Sequence, residues 1–224
     1  MILGDVEIPK MKTNYDGKHV LVVVRGHNYK ADLQAIISYI EEVKPVLVGV
    51  DGGADALLEF GYKPDVIVGD MDSVSDEALK SAKEIVVHAY TNGKAPGLKR
   101  VEELGLKAVI FASPGTSEDI AMLAAYEYNA KLIVALGTHS NMIDFLEKGR
   151  KGMASTFLVR LKIGARLIDA RGVSMLYKSR LKLKYILALI VTALFPVLIL
   201  ISLSPKVQTF MQLVEIKMRL LLGM

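Results

Sequence analysis

The sequence contains no cysteine among its 224 residues. This absence excludes disulfide bonds, thiolate zinc sites and cysteine nucleophiles. The sequence also lacks a G-x-S-x-G turn and a Ser/His/Asp pattern, and its four histidines do not follow the spacing of metal ligands. Thiol chemistry is therefore excluded, and an acyl hydrolase is unsupported.

Most of the chain has no excess of positive over negative charge, although the net charge of the whole chain is +4. Residues 1–170 carry 20 Lys and Arg against 23 Asp and Glu, whereas residues 171–184 hold five basic residues and no acidic one. A protein that binds nucleic acid would spread positive charge over its folded body. The sequence therefore predicts no nucleic-acid partner and gives the basic cluster a local role.

Residues 185–203 contain no charged side chain. A helix of this length rises about 28 Å, close to the thickness of a bilayer core, and a buried core helix would normally keep a polar stripe. Four basic residues at 178–184 precede the apolar run, whereas a single one, Lys206, closely follows it. By the positive-inside rule, this difference predicts that the bulk of the chain lies in the cytoplasm. We therefore expect a single-pass protein of the cell membrane with its short C-terminal tail outside.

The tail after Lys206 has apolar residues at steps of three and four, with polar residues on the other side. This pattern is typical of an amphipathic helix. Such a helix would lie on the outer leaflet or pack against a membrane protein partner. A frayed end without a partner is an equally open alternative.

Between about residues 18 and 172, short runs rich in Val and Ile alternate with segments of helical period. Runs with little alternation of apolar and polar residues are typical of strands covered on both faces. The sequence therefore predicts an α/β fold with a mostly parallel layered sheet. The predicted strands are 19–24, 46–50, 66–68, 84–88, 108–111 and 132–135. The predicted helices are 31–43, 54–60, 76–83, 97–104, 118–128 and 142–148.

Acidic residues follow the second and third predicted strands. Asp51 comes directly after the second strand, and Gly69-Asp-Met-Asp-Ser73 follows the third. Ligands of parallel sheets bind at the carboxyl ends of the strands, and clustered carboxylates there are usually neutralised by a hard cation such as Mg²⁺. The sequence therefore predicts a magnesium–polyphosphate site with Asp51, Asp70 and Asp72 as metal ligands. Asp70 and Asp72 are the predicted catalytic residues.

The same edge of the sheet offers groups for a nucleotide. Glycines let the backbone approach a ligand closely, and the helix starts after Gly53 and Thr116 can accept phosphate oxygens. The predicted nucleotide-binding residues are Gly26, Asn28, Asp51, Gly52, Gly53, Ser73, Thr116, Ser117 and Asp119. An alternative stays open, because Asp51 or Asp119 taken singly also suits a helix cap and the run from Thr116 to Asp119 has capping-box spacing.

Three histidines and one basic turn are less informative. His27 and His139 lie at the ligand edge, where contact with phosphate is one of two open interpretations. His88 ends a predicted strand and is interpreted as structural. Arg150-Lys-Gly152 precedes Ser155 at a helix start, so it is either a second anion site or a solvated basic turn.

The segments Asp51-Gly-Gly-Ala-Asp55, Gly61-Tyr-Lys-Pro-Asp65 and Gly69-Asp-Met-Asp-Ser73 resemble the catalytic domain of thiamin pyrophosphokinases. The resemblance implies transfer of a diphosphate from ATP to an alcohol, leaving AMP, with Asp51, Asp70, Asp72 and Asp119 holding Mg²⁺ and phosphates. That family has a D-x-T-D-like run where this chain has Thr116-Ser-Glu-Asp119, and a C-terminal β-sandwich that forms the thiamin pocket. These departures leave thiamin poorly supported as the acceptor, whereas the expectation of nucleotide binding is unaffected by them.

Residues 18–180 resemble still more closely the C-terminal part of SteA-like proteins, described as cytokinetic-ring or septation proteins. Leu21-Val-Val-Val-Arg-Gly26, Gly115-Thr-Ser-Glu-Asp-Ile-Ala-Met122 and Gly149-Arg-Lys-Gly-Met-Ala-Ser-Thr-Phe157 carry the likeness. The predicted boundaries are a lead-in linker at 1–17, a thiamin pyrophosphokinase-like nucleotide-binding domain at 18–177, a basic juxtamembrane segment at 178–184, a transmembrane helix at 185–203 and an amphipathic tail at 204–224.

Three functions are compatible with these features. The first is a membrane-anchored pyrophosphokinase-like domain that binds Mg²⁺ and a nucleotide such as ATP and serves in cell division or septation. The second is an active diphosphokinase that transfers diphosphate from ATP to an alcohol other than thiamin. The third is a catalytically inert scaffold that recruits a membrane partner.

Overall fold

A computed structural model describes residues 8–138, 153–176 and 183–222. The chain divides into two compact units, Met1–Lys178 and Ser179–Met224. Several predicted features lie outside the described residues: the helix at 142–148, His139, the turn at 150–152 and the basic residues at 178–182.

The first unit contains a seven-stranded parallel sheet in the order β5-β4-β3-β2-β1-β6-β7. Its strands are β1 His19–Val24, β2 Val46–Val50, β3 Val66–Gly69, β4 Glu84–Ala89, β5 Val109–Ala112, β6 Leu132–Leu136 and β7 Leu167–Asp169. The predicted α/β fold with a mostly parallel sheet is confirmed. The first six strands lie within one residue of their predicted bounds, whereas β7 is too short to show a period in the sequence.

The helices of this unit connect the strands. They are α1 Tyr29–Ala35, α2 Ile37–Val43, α3 Gly53–Glu59, α4 Asp76–Ser81, α5 Leu98–Glu103, α6 Ser117–Glu127, α7 Met153–Ile163 and α8 Val173–Leu176. The prediction of one helix over 31–43 is wrong, because the chain breaks at Ile36 between α1 and α2. There the Ile36 N–H bonds to the Leu33 carbonyl three residues back, at 3.2 Å, which tightens the turn.

Alternate residues of β1 show how the sheet is covered. Val20 and Val22 pack into a core cluster that also contains residues of α6 and α7. Leu21 and Val23 pack into a second cluster, with residues of α1, α2 and α3. Both faces of the central strand are therefore buried, as the absence of alternation in its sequence predicts.

Two backbone segments approach each other closely at the switch point of this sheet. Strand order reverses between β1 and β6, which is where doubly wound sheets usually bind ligands. A Cβ atom on Gly26 would lie 1.9 Å from the Gly137 carbonyl oxygen, and one on Gly137 would lie 2.0 Å from the Val24 carbonyl oxygen. Gly26, predicted to bind the nucleotide, instead permits two backbone segments to pass each other.

Residues 8–17 belong to the predicted lead-in linker 1–17, and they pack against the sheet of the first unit. The buried Glu84 carboxylate accepts hydrogen bonds from the N–H groups of Lys12 (2.8 Å) and Thr13 (2.9 Å) and from the Thr13 hydroxyl (2.7 Å). Tyr15 is only 1% exposed, and burial raises the pKa of its hydroxyl. The contacts are long-range in sequence, so no local pattern indicates them.

The second unit contains α9 Leu183–Ser202 and α10 Pro205–Leu222. Large apolar side chains of α9 are exposed, among them Leu189 at 73% and Phe195 at 64%. Within the described ranges, no single helix combines the length and apolarity needed to cross a bilayer. Leu187–Ile201 and Pro205–Leu220 meet both requirements only as a pair, with a bend of 77° between them. The predicted apolar helix is present, and its insertion into a membrane stays a prediction.

Replacing Gly26 with Ala should lower the thermal unfolding midpoint, because the new methyl group collides with a backbone carbonyl that has little room to move. We expect a loss of about 1–3 kcal/mol, and each kcal/mol corresponds to about 2–4 °C. Circular dichroism melts of the full chain measure this. Gly52→Ala is the matched control, since its methyl group would meet the movable Arg25 Cδ at 3.2 Å and would lie at ordinary contact distance, 3.5 Å, from the Ser73 carbonyl oxygen. Equal unfolding midpoints for the two variants would contradict this prediction, because they would show that the backbones of Gly26 and Gly137 can move apart at little cost.

Candidate functional site

A cavity of about 600 Å³ opens at the carboxyl ends of β1, β2, β3 and β4, in front of the N-terminus of α6. Seven of the predicted site residues line it: Asp51, Gly52, Asp70, Asp72, Ser73, Thr116 and Ser117. Gly26, Asn28, Gly53 and Asp119 are not among the lining residues. The structure thus brings together the aspartates of two strand ends and the start of one helix.

Asp51 is held between the ends of β2 and β3. Its backbone has φ +46°, an unfavourable value for a residue other than glycine, and its N–H bonds to the Val68 carbonyl at 3.0 Å. The Oδ1 atom accepts a hydrogen bond from the Asp70 N–H at 3.0 Å. A Cβ atom on Gly69 would lie 1.7 Å from this Oδ1, so the glycine that ends β3 makes room for the carboxylate.

The environment of Asp51 favours its neutral form. Burial and the negative charge of Asp70 raise the pKa of the Asp51 carboxyl to about 7, against the hydrogen bonds that it accepts from Asp70, Met71 and the Ser117 side chain. A carboxylate in this position costs free energy at neutral pH unless a cation lies beside it. Such a costly arrangement is typical of functional sites.

The Asp70–Asp72 turn presents two carboxylates to the cavity. Met71 between them has φ +67° and a fully buried side chain, which leaves the exposed Asp70 and Asp72 on the outer side of the turn. The Asp72 N–H donates to Asp70 Oδ1 at 3.1 Å. Left-handed backbone at a non-glycine residue is strained, and strain of this kind concentrates at functional sites.

Residues at the start of α5 contact the backbone of this turn. The Arg100 guanidinium donates hydrogen bonds to the Met71 carbonyl and to Asp76 Oδ1, the second at 2.6 Å. Gly97 packs closely, since a Cβ atom there would lie 2.1 Å from the Asp70 carbonyl oxygen. These contacts fix the backbone that carries Asp70, so the two carboxylates do not depend on a loose loop.

The N-terminus of α6 forms the opposite side of the cavity. Thr116 caps the helix, with its hydroxyl accepting from the Asp119 N–H at 3.3 Å and its own N–H donating to Asp119 Oδ2 at 2.9 Å. The residues from Gly115 to Glu118 line the cavity. The partial positive charge of a helix start therefore faces the aspartates, which suits a bound phosphate.

Asp119 has structural partners on one oxygen of its carboxylate, Oδ2, whereas its buried Oδ1 makes no hydrogen bond to any of the described residues. Its side chain is fully buried, and besides completing the capping box it accepts hydrogen bonds from the hydroxyls of Ser155 (2.6 Å) and Thr156 (3.2 Å). Burial raises the pKa of its carboxyl. The structure contains the helix-cap interaction of Asp119, and its role as a ligand stays a prediction. Thr156, whose hydroxyl donates to Asp119, lines the cavity.

Gly53 and Asn28 also have structural explanations. A Cβ atom on Gly53 would lie 1.9 Å from the Val23 carbonyl oxygen, so the glycine allows α3 to pack closely on β1. Asn28 is exposed with φ +57° immediately before α1, and its carbonyl accepts the Asp32 N–H at 3.2 Å. His27 is likewise exposed and does not line the cavity.

Several lining residues were not predicted from the sequence. They are Arg25, His88, Tyr90, Pro96, Glu118 and Thr156. His88, interpreted as merely structural, lines the cavity with Nδ1 at 3.3 Å from Ser117 Oγ and Nε2 at 3.0 Å from the Ser113 carbonyl oxygen. Its position at the carboxyl end of β4 was the available signal, whereas Tyr90 and Pro96 lie in a loop without a motif.

The charges around the cavity bear on whether Mg²⁺ fits. Among the described residues, the carboxylates of Asp51, Asp70, Asp72 and Glu118 line it, together with the guanidinium of Arg25. In the part of the chain that the structure describes, no group of three or more His, Cys, Asp or Glu side chains is placed to hold a metal ion. Mg²⁺ usually takes one or two carboxylates and fills its other positions with water and phosphate oxygens. The residues present therefore fit an ion shared with a polyphosphate, not a cage built by protein alone.

Asp51→Asn should stabilise the folded chain at neutral and alkaline pH without Mg²⁺. The raised pKa means that the native state holds its proton up to about pH 7, whereas the unfolded carboxyl ionises near pH 4. The free energy of unfolding of the wild-type chain therefore falls as the pH rises from about 4 to about 7. The advantage of the variant should grow by about 1–3 kcal/mol between pH 5 and pH 8. Urea unfolding at both pH values measures it, and a constant difference would contradict the buried-carboxylate interpretation.

Two family models match segments of the chain. The thiamin pyrophosphokinase catalytic domain matches residues 37–94, which include Asp51, Asp70 and Asp72. The SteA-like C-terminal domain matches residues 171–222, which include α8, α9 and α10. The first match covers the ends of β2 and β3, the part of the cavity that carries these aspartates.

Curated and solved relatives are similar to part of the chain. A 6-hydroxymethyl-7,8-dihydropterin pyrophosphokinase of Methanocaldococcus jannaschii is 28% identical over 153 residues, covering 59% of this chain. The chain spans 63% of the length of that relative. Thiamin pyrophosphokinases of Bacillus subtilis and Geobacillus thermodenitrificans are each 20% identical, with TM-scores of 0.40 and 0.39. Each covers 67% of this chain, which spans 60% and 57% of their chains, respectively.

These matches confirm the resemblance to both families, although the SteA-like model matches residues 171–222 and not the three segments between residues 21 and 157 on which that resemblance is based. The pyrophosphokinase-like character of the fold is supported by the family model and by the curated relative. The chain thus combines a segment similar to the thiamin pyrophosphokinase catalytic domain with a segment similar to the SteA-like C-terminal domain.

Proposed function

We propose that the cavity binds a nucleoside polyphosphate such as ATP together with Mg²⁺, with Asp70 and Asp72 holding the ion and Asp51 completing its negative surroundings. The observation that carries this proposal is the placement of these three carboxylates opposite the N-terminus of α6 across one cavity. A polyphosphate alone would be repelled by the carboxylates, and a cation alone would lack ligands. The two together satisfy both sides of the cavity.

Positive groups of the chain support the phosphates in this arrangement. The start of α6 offers a helix dipole, and Arg25 lines the cavity with a side chain that is about half exposed. Arg25 also lies 3.6 Å from Glu59 and 3.3 Å from the Tyr29 hydroxyl, so it is held near the rim. Charge-assisted hydrogen bonds from guanidinium groups are suited to phosphate oxygens.

Diphosphate transfer is the second candidate function, favoured by the curated relative whose name states pyrophosphokinase activity. In this reaction an acceptor hydroxyl oxygen forms a bond to the β-phosphorus of ATP, the bond from that phosphorus to the bridging oxygen of AMP breaks, and the hydroxyl proton passes to solvent. The name of the relative points to a hydroxymethyl-bearing heterocycle as the class of acceptor. Formation of AMP from ATP with such an acceptor would distinguish a transferase from a nucleotide-binding scaffold.

Asp70→Asn and Asp72→Asn should each weaken Mg²⁺-dependent ATP binding by at least about tenfold, since each removes a negatively charged oxygen ligand. Calorimetric titration of ATP into the full chain, with Mg²⁺ or with EDTA, measures the loss. Glu77→Gln is the matched control, because Glu77 is an exposed acidic residue of α4 that does not line the cavity. Binding that is indifferent to Mg²⁺ and to both substitutions would overturn the proposal.

We infer further that the second unit attaches the protein to the cell membrane, with the bulk of the chain in the cytoplasm and the tail outside, in a role in division or septation. The exposed apolar surface of α9 and the uncharged run at 185–203 support attachment. The SteA-like match over residues 171–222 supports the septation role, since that resemblance implies it. A membrane protein that packs against the amphipathic face of α10 would be the expected partner.

The full chain should remain in the membrane pellet after alkaline carbonate extraction, because the apolar residues of α9 would be buried in lipid. Removing residues 183–224 should release it to the supernatant. Removing only 205–224 is the control, which keeps α9 and should keep the chain in the pellet. Release of the full chain by carbonate would contradict insertion into the membrane. Release of the variant that lacks only residues 205–224 would assign membrane attachment to α10.

A further inference from the structure

We propose that Tyr90 and Pro96 form a subsite for a planar heterocycle at the β4 end of the cavity. The inference rests on the proposed polyphosphate site and adds the part that would recognise the rest of the ligand. Tyr90 is the first residue after β4, and both residues line the same cavity as the aspartates.

Tyr90 presents an aromatic ring to this space. Its residue surface is 62% exposed, although Ala89 before it is fully buried. The Tyr90 side chain makes no ring contact and no hydrogen bond to any of the described residues, so its ring does not pack into the core. A large ring on the wall of a cavity is available to stack on a flat ligand.

The loop that carries Tyr90 is held in one conformation by its own hydrogen bonds. The Tyr90 N–H donates to the Lys94 carbonyl at 3.0 Å, and the Gly93 N–H donates to the Tyr90 carbonyl at 2.8 Å. The Lys94 N–H donates to Asn92 Oδ1 at 3.0 Å. Gly93 adopts φ +81°, which the closure of this turn needs. Tyr90 is therefore presented on a preorganised turn, which lowers the entropy cost of stacking.

The lining of the cavity divides by chemistry along the sheet. Asp51, Asp70 and Asp72 follow β2 and β3, whereas Tyr90 and Pro96 follow β4, whose last two residues, His88 and Ala89, also line the cavity. Neighbouring strands lie about 4.8 Å apart, so the ends of β2 and β4 are separated by about 10 Å. One end thus suits phosphates with a cation, and the other suits an apolar ring. A ligand with a heterocycle and a polyphosphate, or two ligands that carry these parts separately, matches both ends.

The heterocycle has two sources, the base of the nucleotide and the ring of an acceptor. Full-length wild-type, Tyr90→Ala and Tyr90→Phe chains are titrated calorimetrically with Mg²⁺ and ATP, then with Mg²⁺ and tripolyphosphate, which has no base. A third titration adds 6-hydroxymethylpterin to chains saturated with Mg²⁺ and tripolyphosphate. Tyr90 is exposed, so Tyr90→Ala should fold, and its thermal midpoint provides the check.

We expect Tyr90→Ala to weaken either ATP or pterin binding by about 5- to 100-fold while tripolyphosphate binding stays unchanged, and Tyr90→Phe to retain wild-type affinity. Weakened ATP binding assigns the subsite to the nucleobase, and weakened pterin binding assigns it to an acceptor ring. Unchanged affinity for both, with tripolyphosphate still bound, would overturn the heterocycle subsite alone. Absence of tripolyphosphate binding in every chain would overturn the proposed function and this inference with it.

Discussion

The placement of the Asp51 carboxylate against the backbone of Asp70 is the constraint on which the candidate site depends. This carboxylate accepts the Asp70 N–H at 3.0 Å while the charge of Asp70 lies close enough to raise its pKa. The arrangement requires a glycine at position 69 and left-handed backbone at Asp51 itself. A fold that only needed stability would gain by a neutral asparagine, which keeps an oxygen acceptor for the Asp70 N–H, so the charge at this position is best explained by a ligand that carries positive charge.

The surrounding structure maintains this costly arrangement from several directions. Arg100 and Gly97 support the Asp70–Asp72 turn from α5, while the capping box of Thr116 and Asp119 fixes the opposite helix start. The crossing of Gly26 and Gly137 brings the backbone after β1 and the backbone after β6 into close contact. The cavity lies at the ends of β1, β2, β3 and β4, where the aspartates and Tyr90 line it.

The sequence predicted the parallel sheet and its first six strands because uninterrupted runs of Val and Ile are a local signal. It also predicted the aspartates of the cavity, since residues at the carboxyl ends of neighbouring parallel strands must meet. It could not distinguish glycines that face a ligand from glycines that face backbone: Gly52 lines the cavity, whereas Gly26 and Gly53 permit close packing. That distinction depends on contacts between segments far apart in the chain, as does the packing of residues 8–17 on Glu84.

Anomalous diffraction from crystals of the full chain grown with Mn²⁺ and a non-hydrolysable ATP analogue would test the shared-ion site most directly. Mn²⁺ also favours carboxylate and phosphate oxygens, and its anomalous signal locates it independently of the surrounding density. The proposed site predicts a peak within about 2.5 Å of a carboxylate oxygen of Asp70 or Asp72 and of a phosphate oxygen of the analogue. A nucleotide bound elsewhere, or in the cavity without a metal peak at these carboxylates, would contradict it.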